Sequence, residues 1–144
     1  NIYKLIKTLC EKDIIYDSKT IKNKVTKDVY INVKPLAMKR GLLNIISNAI
    51  SYSKNIVEIM TIKNDNFLNI FIEDDGKGIP KNKREEVFKA FYRIDESRQS
   101  ASANTGLGLT IAKDIIQSHG GRVILNTSDL GGLKVEITLP IKTS

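Results

Sequence analysis

Two asparagines, Asn44 and Asn48, stand four residues apart in a stretch that is otherwise largely apolar. In an α-helix this spacing puts both side chains on one face, which Gly41, Ser51 and Tyr52 extend. A buried amide costs free energy unless it is hydrogen-bonded, so these amides must meet polar partners or line a cavity. Two interpretations stay open: the amides cap neighbouring backbone, or they form the wall of a site in which an amide oxygen ligates a hard cation.

A glycine-rich acidic segment, EDDGKGIP at residues 73–80, follows directly on a predicted strand. Gly76 and Gly78 permit positive φ and a close approach of a flat ligand to the backbone. The carboxylate of Asp74, at the end of the strand, can accept a hydrogen bond from an exocyclic amine. The alternative is a tight turn whose acidic side chains are solvated.

A third segment, NTGLGLT at residues 104–110, opens a predicted helix. Gly106 and Gly108 let backbone N–H groups point at an anion, and the N-terminus of a helix adds positive potential. The segment is not a Walker loop, because no Lys-Ser/Thr pair follows at the required offset, and it is not the GxGxxG of dinucleotide folds.

Hydrophobic periodicity predicts the elements that must position these residues. Val29, Ile31 and Val33 alternate as on one face of a strand, and an apolar, buried helix runs from Pro35 to about Ser53. Residues 63–66 predict a hairpin turn, residues 93–105 a mobile loop, and Gly120-Gly121 a left-handed end to the preceding helix. The other strands are predicted at residues 56–62, 67–73, 122–127 and 133–139, and the other helices at 2–12, 81–92 and 106–118.

Because strands and helices do not alternate regularly, the predicted fold class is α+β in two layers. It has one mixed, mostly antiparallel sheet of about five strands, with three main helices on one face. Residues 1–144 read as a single domain.

Composition narrows the class of protein. The formal net charge is +7, but the lysines and arginines are scattered, without an arginine-rich tract or interleaved aromatics. This favours a solvated surface or a polyanionic small ligand, and leaves a nucleic-acid-binding domain as an alternative. No apolar run approaches the roughly 20 residues that span a bilayer, so this fragment is expected to make no membrane contact. The one cysteine, Cys10, excludes an intrachain disulfide and is expected to be buried in the first helix.

The order of the segments carries a resemblance to a known family. An amide-bearing helix, a strand ending in DxGxG, a charged loop and a GxG that opens a helix together resemble the Bergerat-type ATP-binding fold. Histidine kinases, gyrase-like ATPases and Hsp90-type chaperones share that fold. The resemblance covers residues 35–140 and is closest to the sensor histidine kinases, through NIISNA at 44–49, FKAFYR at 88–93, TGLGL at 105–109 and ITLP at 137–140.

The resemblance implies roles for individual residues. Asn48 would ligate the Mg²⁺ that bridges the phosphates of ATP, with Asn44 as a second candidate ligand, and Asp74 would accept the adenine amino group. Residues 93–105 would form a lid over ATP, with Arg93 contributing to catalysis beside the two asparagines. The remaining nucleotide contacts would come from Tyr52, Gly76, Gly78, Ile79, Arg93, Arg98, Thr105, Gly106, Leu107 and Gly108.

Three places depart from the family pattern. Ser51 stands where a basic residue commonly meets a phosphate, Asn104 replaces a glycine, and Leu133-Lys134 replaces a small hydroxyl pair. They keep open the alternative of a nucleotide-binding regulatory module that has lost phosphotransfer.

Asn44 favours a histidine kinase over a hydrolase. In the gyrase-like ATPases a glutamate at this place acts as a base, whereas an amide cannot take a proton at neutral pH. An acceptor histidine needs less help, because a neutral imidazole is already nucleophilic. The one histidine in the chain, His119, ends a predicted helix, where an electrostatic role is expected rather than that of phosphoacceptor.

The acceptor histidine is expected on a dimerisation domain upstream of Asn1, so this fragment is expected to bind Mg-ATP without autophosphorylating alone. Its expected partners are ATP, that dimerisation domain and a downstream response regulator, with no nucleic acid. We expect a monomeric, cytoplasmic domain from a membrane-anchored parent.

Overall fold

The computed structural model describes residues 1–10, 20–27, 29–84 and 108–141. A five-stranded sheet forms one layer and helices form the other, which confirms the predicted α+β class. In chain order the elements are α1 (Ile2–Thr8), β1 (Thr20–Lys24), α2 (Pro35–Tyr52), β2 (Ile56–Lys63), β3 (Phe67–Asp74), α3 (Gly108–Ser118), β4 (Arg122–Thr127) and β5 (Leu133–Pro140).

The strands lie in the order β1-β2-β3-β5-β4. β1 runs parallel to β2, and the other three pairs are antiparallel. The register places four buried apolar residues in one row across the sheet: Ile59, Ile72, Val135 and Leu125. Because side chains alternate along a strand, this row marks the face that the helices cover, while the opposite face is more exposed.

α2 lies at the centre of the helical layer and packs against α3 and β3. Pro35 occupies its first turn, where a missing N–H costs nothing. The helix ends at Tyr52, and the N–H of Ser53 still donates to the carbonyl of Ala49 at 2.9 Å. Its buried residues, which confirm the predicted buried helix, are Met38, Gly41, Leu42, Ile45, Ile46, Ala49 and Ile50.

The turns form where the sequence predicts them. Between β2 and β3 the side-chain oxygen of Asn64 accepts the N–H groups of Asn66 and Phe67 at 2.9 and 2.7 Å. After α3, Gly120 has a φ of 80°. The Gly120 N–H donates to Gln117 O at 2.9 Å and the Gly121 N–H to Ile116 O at 3.0 Å, which is a Schellman closure of the helix.

The described residues include only part of the predicted helices at 2–12 and 81–92. The regular part of α1 ends at Thr8, and Cys10 is buried as expected. The predicted helix at 81–92 falls within the described residues only at its start, as a short 3₁₀ turn, Lys81–Lys83. The predicted loop at 93–105 and residues 106–107 lie outside the described ranges. No helix in the described part of the chain is long and apolar enough to cross a membrane.

The strand predicted around Val29, Ile31 and Val33 is wrong. Exposure alternates along the segment and Val29 is buried, but no strand forms; the carbonyl of Val29 accepts a hydrogen bond from Ile2 N at 3.0 Å, so the segment is held by α1. The additional strand is Thr20–Lys24, a lysine-rich edge paired with β2. Alternation of apolar and polar residues indicates that one face of a segment is buried, but a buried face does not require pairing with another strand.

Candidate functional site

The ends of four elements surround one cleft. They are the last turns of α2, the segment that follows β3, the start of α3 and the start of β5. The cleft has an empty volume of about 440 Å³, including space open to solvent. Its walls are mainly apolar and are formed by Ile45, Asn48, Ala49, Tyr52, Asp74, Lys77, Gly78, Ile79, Leu109, Leu133 and Val135.

α2 forms one wall because its residues at helical spacing share a face. Asn48 and Tyr52, one turn apart, both line the cleft and are half-buried. Asn44 lies one turn earlier, half-buried, and is not among the lining residues. Gly41 does not continue the expected polar stripe: it is buried, and a Cβ there would lie 3.5 Å from the side chain of Ile115 in α3.

Asp74, the last residue of β3, is 3% exposed. Its Oδ1 atom accepts the N–H of Gly76 at 2.8 Å and the N–H of Leu133 at 3.2 Å. Two backbone donors from different segments therefore fix the orientation of this carboxylate within the cleft.

The turn before β5 lies directly against Asp74. The N–H of Gly132 donates to the Asp74 carbonyl at 3.1 Å. A Cβ at Gly132 would lie 2.1 Å from Asp74 Oδ1 and 2.6 Å from Asp74 O. A side chain at position 132 would therefore displace the carboxylate.

The two glycines of the DxGxG segment differ in role. A Cβ at Gly76 would lie 2.1 Å from the carbonyl oxygen of Tyr52, so the close approach of the end of α2 requires glycine at this position. Gly76 is accordingly not a lining residue, whereas Gly78, with a φ of 72°, is. The contact between Gly76 and a ligand stays a prediction, whereas its contact with the end of α2 is observed.

Asp75 holds the backbone rather than facing the cleft. Its carboxylate accepts the N–H groups of Lys54, Asn55 and Ile56 at 2.7, 3.0 and 3.2 Å. Burial raises the pKa of this carboxyl, but the hydrogen bonds from Asn55, Ile56 and Lys54 outweigh it and lower the pKa below its ordinary value. The two adjacent aspartates thus lie in different places: Asp74 in the cleft, and Asp75 against the backbone at the start of β2.

Arg84 braces the segment that follows the glycines. Its Nε donates to the carbonyl of Ile79 at 3.1 Å, and its Nη2 donates to Thr127 Oγ1 at 2.8 Å. Ile79, 4% exposed, is thereby held as a wall of the cleft.

Five of the residues predicted from the sequence lie together around the cleft: Asn48, Tyr52, Asp74, Gly78 and Ile79. Gly108 begins α3, next to the lining residue Leu109. Outside the described ranges are Arg93, Arg98, Thr105, Gly106 and Leu107, whose roles stay predictions.

Most of the apolar wall was not predicted from the sequence. Leu133, noted only as a departure from the family pattern, lines the cleft, and so does Val135 two residues on along β5. Ile45 and Ala49 carried a usable signal, because each lies three residues before a predicted site residue on α2, Asn48 and Tyr52 respectively. The signal for Gly132 was weaker: it belongs to a pair of glycines directly before a predicted strand.

Comparison with known proteins places the chain in a family. Residues 33–143 match the family described as histidine kinase-, DNA gyrase B-, and HSP90-like ATPase. Sensor histidine kinase CpxA of Escherichia coli K12 is 41% identical over 107 residues, which is 74% of this chain and 23% of that protein. Sensor histidine kinase WalK of Bacillus subtilis 168 is 37% identical over 126 residues, 85% of this chain and 21% of that protein.

The chain thus spans less than a quarter of the length of these relatives. Among solved structures, the mycobacterial sensor histidine kinase MprB superposes with a TM-score of 0.78 at 25% identity, covering 99% of this chain and 95% of that one. The chain therefore belongs to the histidine kinase-, DNA gyrase B- and HSP90-like ATPase family, and its similarity within that family is to the ATP-binding domains of sensor histidine kinases.

Proposed function

We propose that residues 1–144 form one catalytic domain of a sensor histidine kinase, which binds Mg-ATP in this cleft. The γ-phosphoryl group of ATP would pass to a histidine on a separate dimerisation domain. The observation that carries the proposal is the buried, oriented carboxylate of Asp74 within a mainly apolar cleft.

The cleft fits a purine base. An adenine ring is flat and apolar on its faces, which suits walls of aliphatic side chains. Its exocyclic amine needs an acceptor, and Asp74 is an acceptor that cannot rotate away, because Gly76 and Leu133 hold its Oδ1. Ile79 and Tyr52 are the proposed neighbours of the base, since both line the cleft.

The residues also fit Mg²⁺. This ion prefers oxygen ligands and usually keeps several waters, so that one or two protein groups and the phosphates complete its shell. Asn48 lines the cleft, and its side-chain oxygen is a ligand of this kind; Asn44 one turn earlier is the second candidate. Bound Mg²⁺ would neutralise the phosphate charge.

Phosphoryl transfer then depends on positioning rather than on a protein base. Asn44 is an amide and cannot deprotonate water at neutral pH, which favours transfer to a histidine over hydrolysis. Lys77, exposed at the rim of the cleft, is available to the phosphates. We assign further phosphate contacts to Arg93, Arg98 and the residues from Thr105 to Gly108.

The proposed partners follow from the named relatives, which are sensor kinases. They are a histidine-bearing dimerisation domain and a response regulator, both cytoplasmic, with the parent anchored in a membrane. We propose no nucleic-acid partner, and a monomer for the isolated domain.

Mixing this chain with a purified histidine-bearing domain and ATP labelled on the γ-phosphate tests the proposal. Label on histidine is the expected result. Nucleotide binding without label would favour a regulatory module that has lost phosphotransfer, and phosphate release without the second domain would favour a gyrase-like ATPase. Tight DNA or RNA binding that weakens steeply with salt would favour the nucleic-acid alternative.

A further inference from the structure

His119 joins α3 to the start of α2 at the ends farthest from the cleft. Its Nε2 atom lies 3.0 Å from the backbone nitrogen of Lys34, and its Nδ1 atom lies 2.8 Å from the carbonyl oxygen of Ile115. The hydroxyl of Ser118 lies 3.4 Å from the same Nδ1 and itself donates to Ile115 O at 2.7 Å.

These two contacts define one form of the imidazole. A backbone amide only donates, so Nε2 must carry a lone pair, and a carbonyl only accepts, so Nδ1 must carry the hydrogen. The ring is therefore neutral, whereas the electrostatic helix-end role expected from the sequence needs a charged ring. The direct contacts of His119, rather than its charge, explain its place.

The contact completes the N-terminus of α2. Lys34 is the N-cap of that helix and makes no side-chain cap hydrogen bond. In a capping box, a Glu or Gln at the third helical position accepts the N–H of the N-cap residue. Here that position is Ala37, which has no acceptor, and the imidazole of another helix supplies one.

α2 and α3 run antiparallel, so this contact is linked to the cleft through two rigid elements. Lys34 meets His119 at one end, and Gly41 lies against Ile115 farther along. At the other end Asn48 and Leu109 line the cleft from the two helices. The hydrogen bond thus joins the two helices at their ends away from the cleft, while their other ends form two of its walls.

We infer that His119 is a positioning residue for the nucleotide cleft, acting as a cross-helix cap that holds α2 and α3 in register. That the cleft binds a nucleotide rests on the proposed function. Without the cap, a smaller fraction of molecules has both walls in place. The apparent dissociation constant rises by the inverse of that fraction.

Two substitutions separate the two hydrogen bonds. His119→Gln puts an amide oxygen near the place of Nε2 and can still accept from Lys34. His119→Asn puts an amide donor near the place of Nδ1 and keeps only the bond to Ile115. Gln117→Ala, an exposed position on the same turn, is the control.

Calorimetry with Mg-ATP is expected to give about a three- to tenfold weaker binding for His119→Asn and His119→Ala, the scale of one net hydrogen bond. Affinity close to wild type is expected for His119→Gln and Gln117→Ala. Equal affinity for His119→Asn and His119→Gln would overturn the inference.

Two measurements without nucleotide separate the cap from the proposed function. Long-range ¹H–¹⁵N spectra should show the hydrogen on Nδ1, and amide exchange at Lys34 should accelerate in His119→Asn but not in His119→Gln. A hydrogen on Nε2, or unchanged exchange, would overturn the cap. A wild type with both signatures that binds no Mg-ATP would instead contradict the proposed function.

Discussion

Asp74 Oδ1 lies 3.2 Å from the backbone nitrogen of Leu133, although the two residues are 59 positions apart in the chain. This hydrogen bond joins the end of β3 to the start of β5 at the cleft. It holds the carboxylate in a fixed orientation and brings the apolar side chain of Leu133 to the cleft wall.

The Asp74→Asn substitution tests the proposed adenine acceptor. An asparagine oxygen can keep the bonds to Gly76 and Leu133, but the second carboxylate oxygen becomes a donor that opposes the adenine amine. We expect nucleotide affinity to fall about 10- to 100-fold with the fold retained, the scale of a lost hydrogen bond to a charged group. Calorimetry with ADP and Mg²⁺ measures this, with circular dichroism to monitor folding.

Asp65→Asn is the matched control for that experiment, because it makes the same chemical change in the exposed β2–β3 turn. It should leave the affinity unchanged. Equal affinity in wild type and Asp74→Asn would mean that the adenine assignment is wrong.

Gly132→Ala tests the contact between the β5 turn and Asp74. Its Cβ would lie 2.1 Å from Asp74 Oδ1, a distance that forces the turn or the carboxylate to move. We expect a loss of roughly 3 kcal/mol or more in unfolding free energy, together with weaker nucleotide binding. Urea denaturation and calorimetry measure the two effects.

Gly131→Ala is the informative comparison. Gly131 has a φ of 109°, but a Cβ there would meet nothing within 4 Å. Its cost should be that of backbone strain alone, about 1–3 kcal/mol, and nucleotide affinity should survive. A milder effect at position 132 than at position 131 would contradict the close packing against Asp74.

The pH dependence of stability should report Asp75. Its pKa is lowered in the folded protein, so the ionised form is favoured by folding. The stabilisation is complete above the ordinary value of 3.8 and is lost as the pH falls through the lower, folded value. In Asp75→Asn, unfolding free energies from urea titrations should lie below wild type near neutrality, and the difference should shrink in strong acid.

Asp65→Asn again serves as the control, since it removes an exposed carboxylate in a turn rather than one that accepts the backbone N–H groups before β2. A constant difference between wild type and Asp75→Asn from neutral pH into acid would show that the three backbone hydrogen bonds of Asp75 do not depend on its charge.

Asn48→Ala tests the proposed metal ligand. If the amide oxygen binds Mg²⁺, the substitution removes the part of the ATP affinity that depends on the ion. We expect about a tenfold or greater loss with Mg²⁺ present and little change in EDTA. Asn44→Ala, one turn farther from the cleft, should have a smaller effect. Equal losses with and without Mg²⁺ would assign Asn48 to the nucleotide rather than to the metal.

The sequence pattern predicted those elements that are stabilised by interactions within their own segment. The β2–β3 hairpin follows from alternation and from Asn64, whose side chain closes its own turn. α2 follows from its apolar sequence and from Pro35. β1 could not be predicted, because Thr20–Lys24 contains a single apolar residue, Ile21, and its pairing comes from the backbone of β2.

The cleft was predictable where one segment carries its own signal, as for Asp74 and Asn48, which both line it. It was not predictable where two distant segments meet. Gly132 must be a glycine because Asp74 lies against it, and Gly76 because Tyr52 does. The glycines themselves are visible in the sequence, but the residues that lie against them are not, so this reason for glycine emerges only when the strands and α2 are assembled.

Gly41→Ala, finally, should stabilise the protein. The sequence placed Gly41 on a polar stripe, but it lies buried between α2 and α3. An added Cβ would come no closer than 3.5 Å to Ile115, an ordinary contact, and alanine loses less backbone entropy than glycine in a helix. We expect a gain of about 0.5–1 kcal/mol in unfolding free energy and unchanged nucleotide affinity. A lower urea midpoint at the same m-value would mean that the α2–α3 interface cannot accept a methyl group, and that the spacing of the two cleft walls is tighter than this contact indicates.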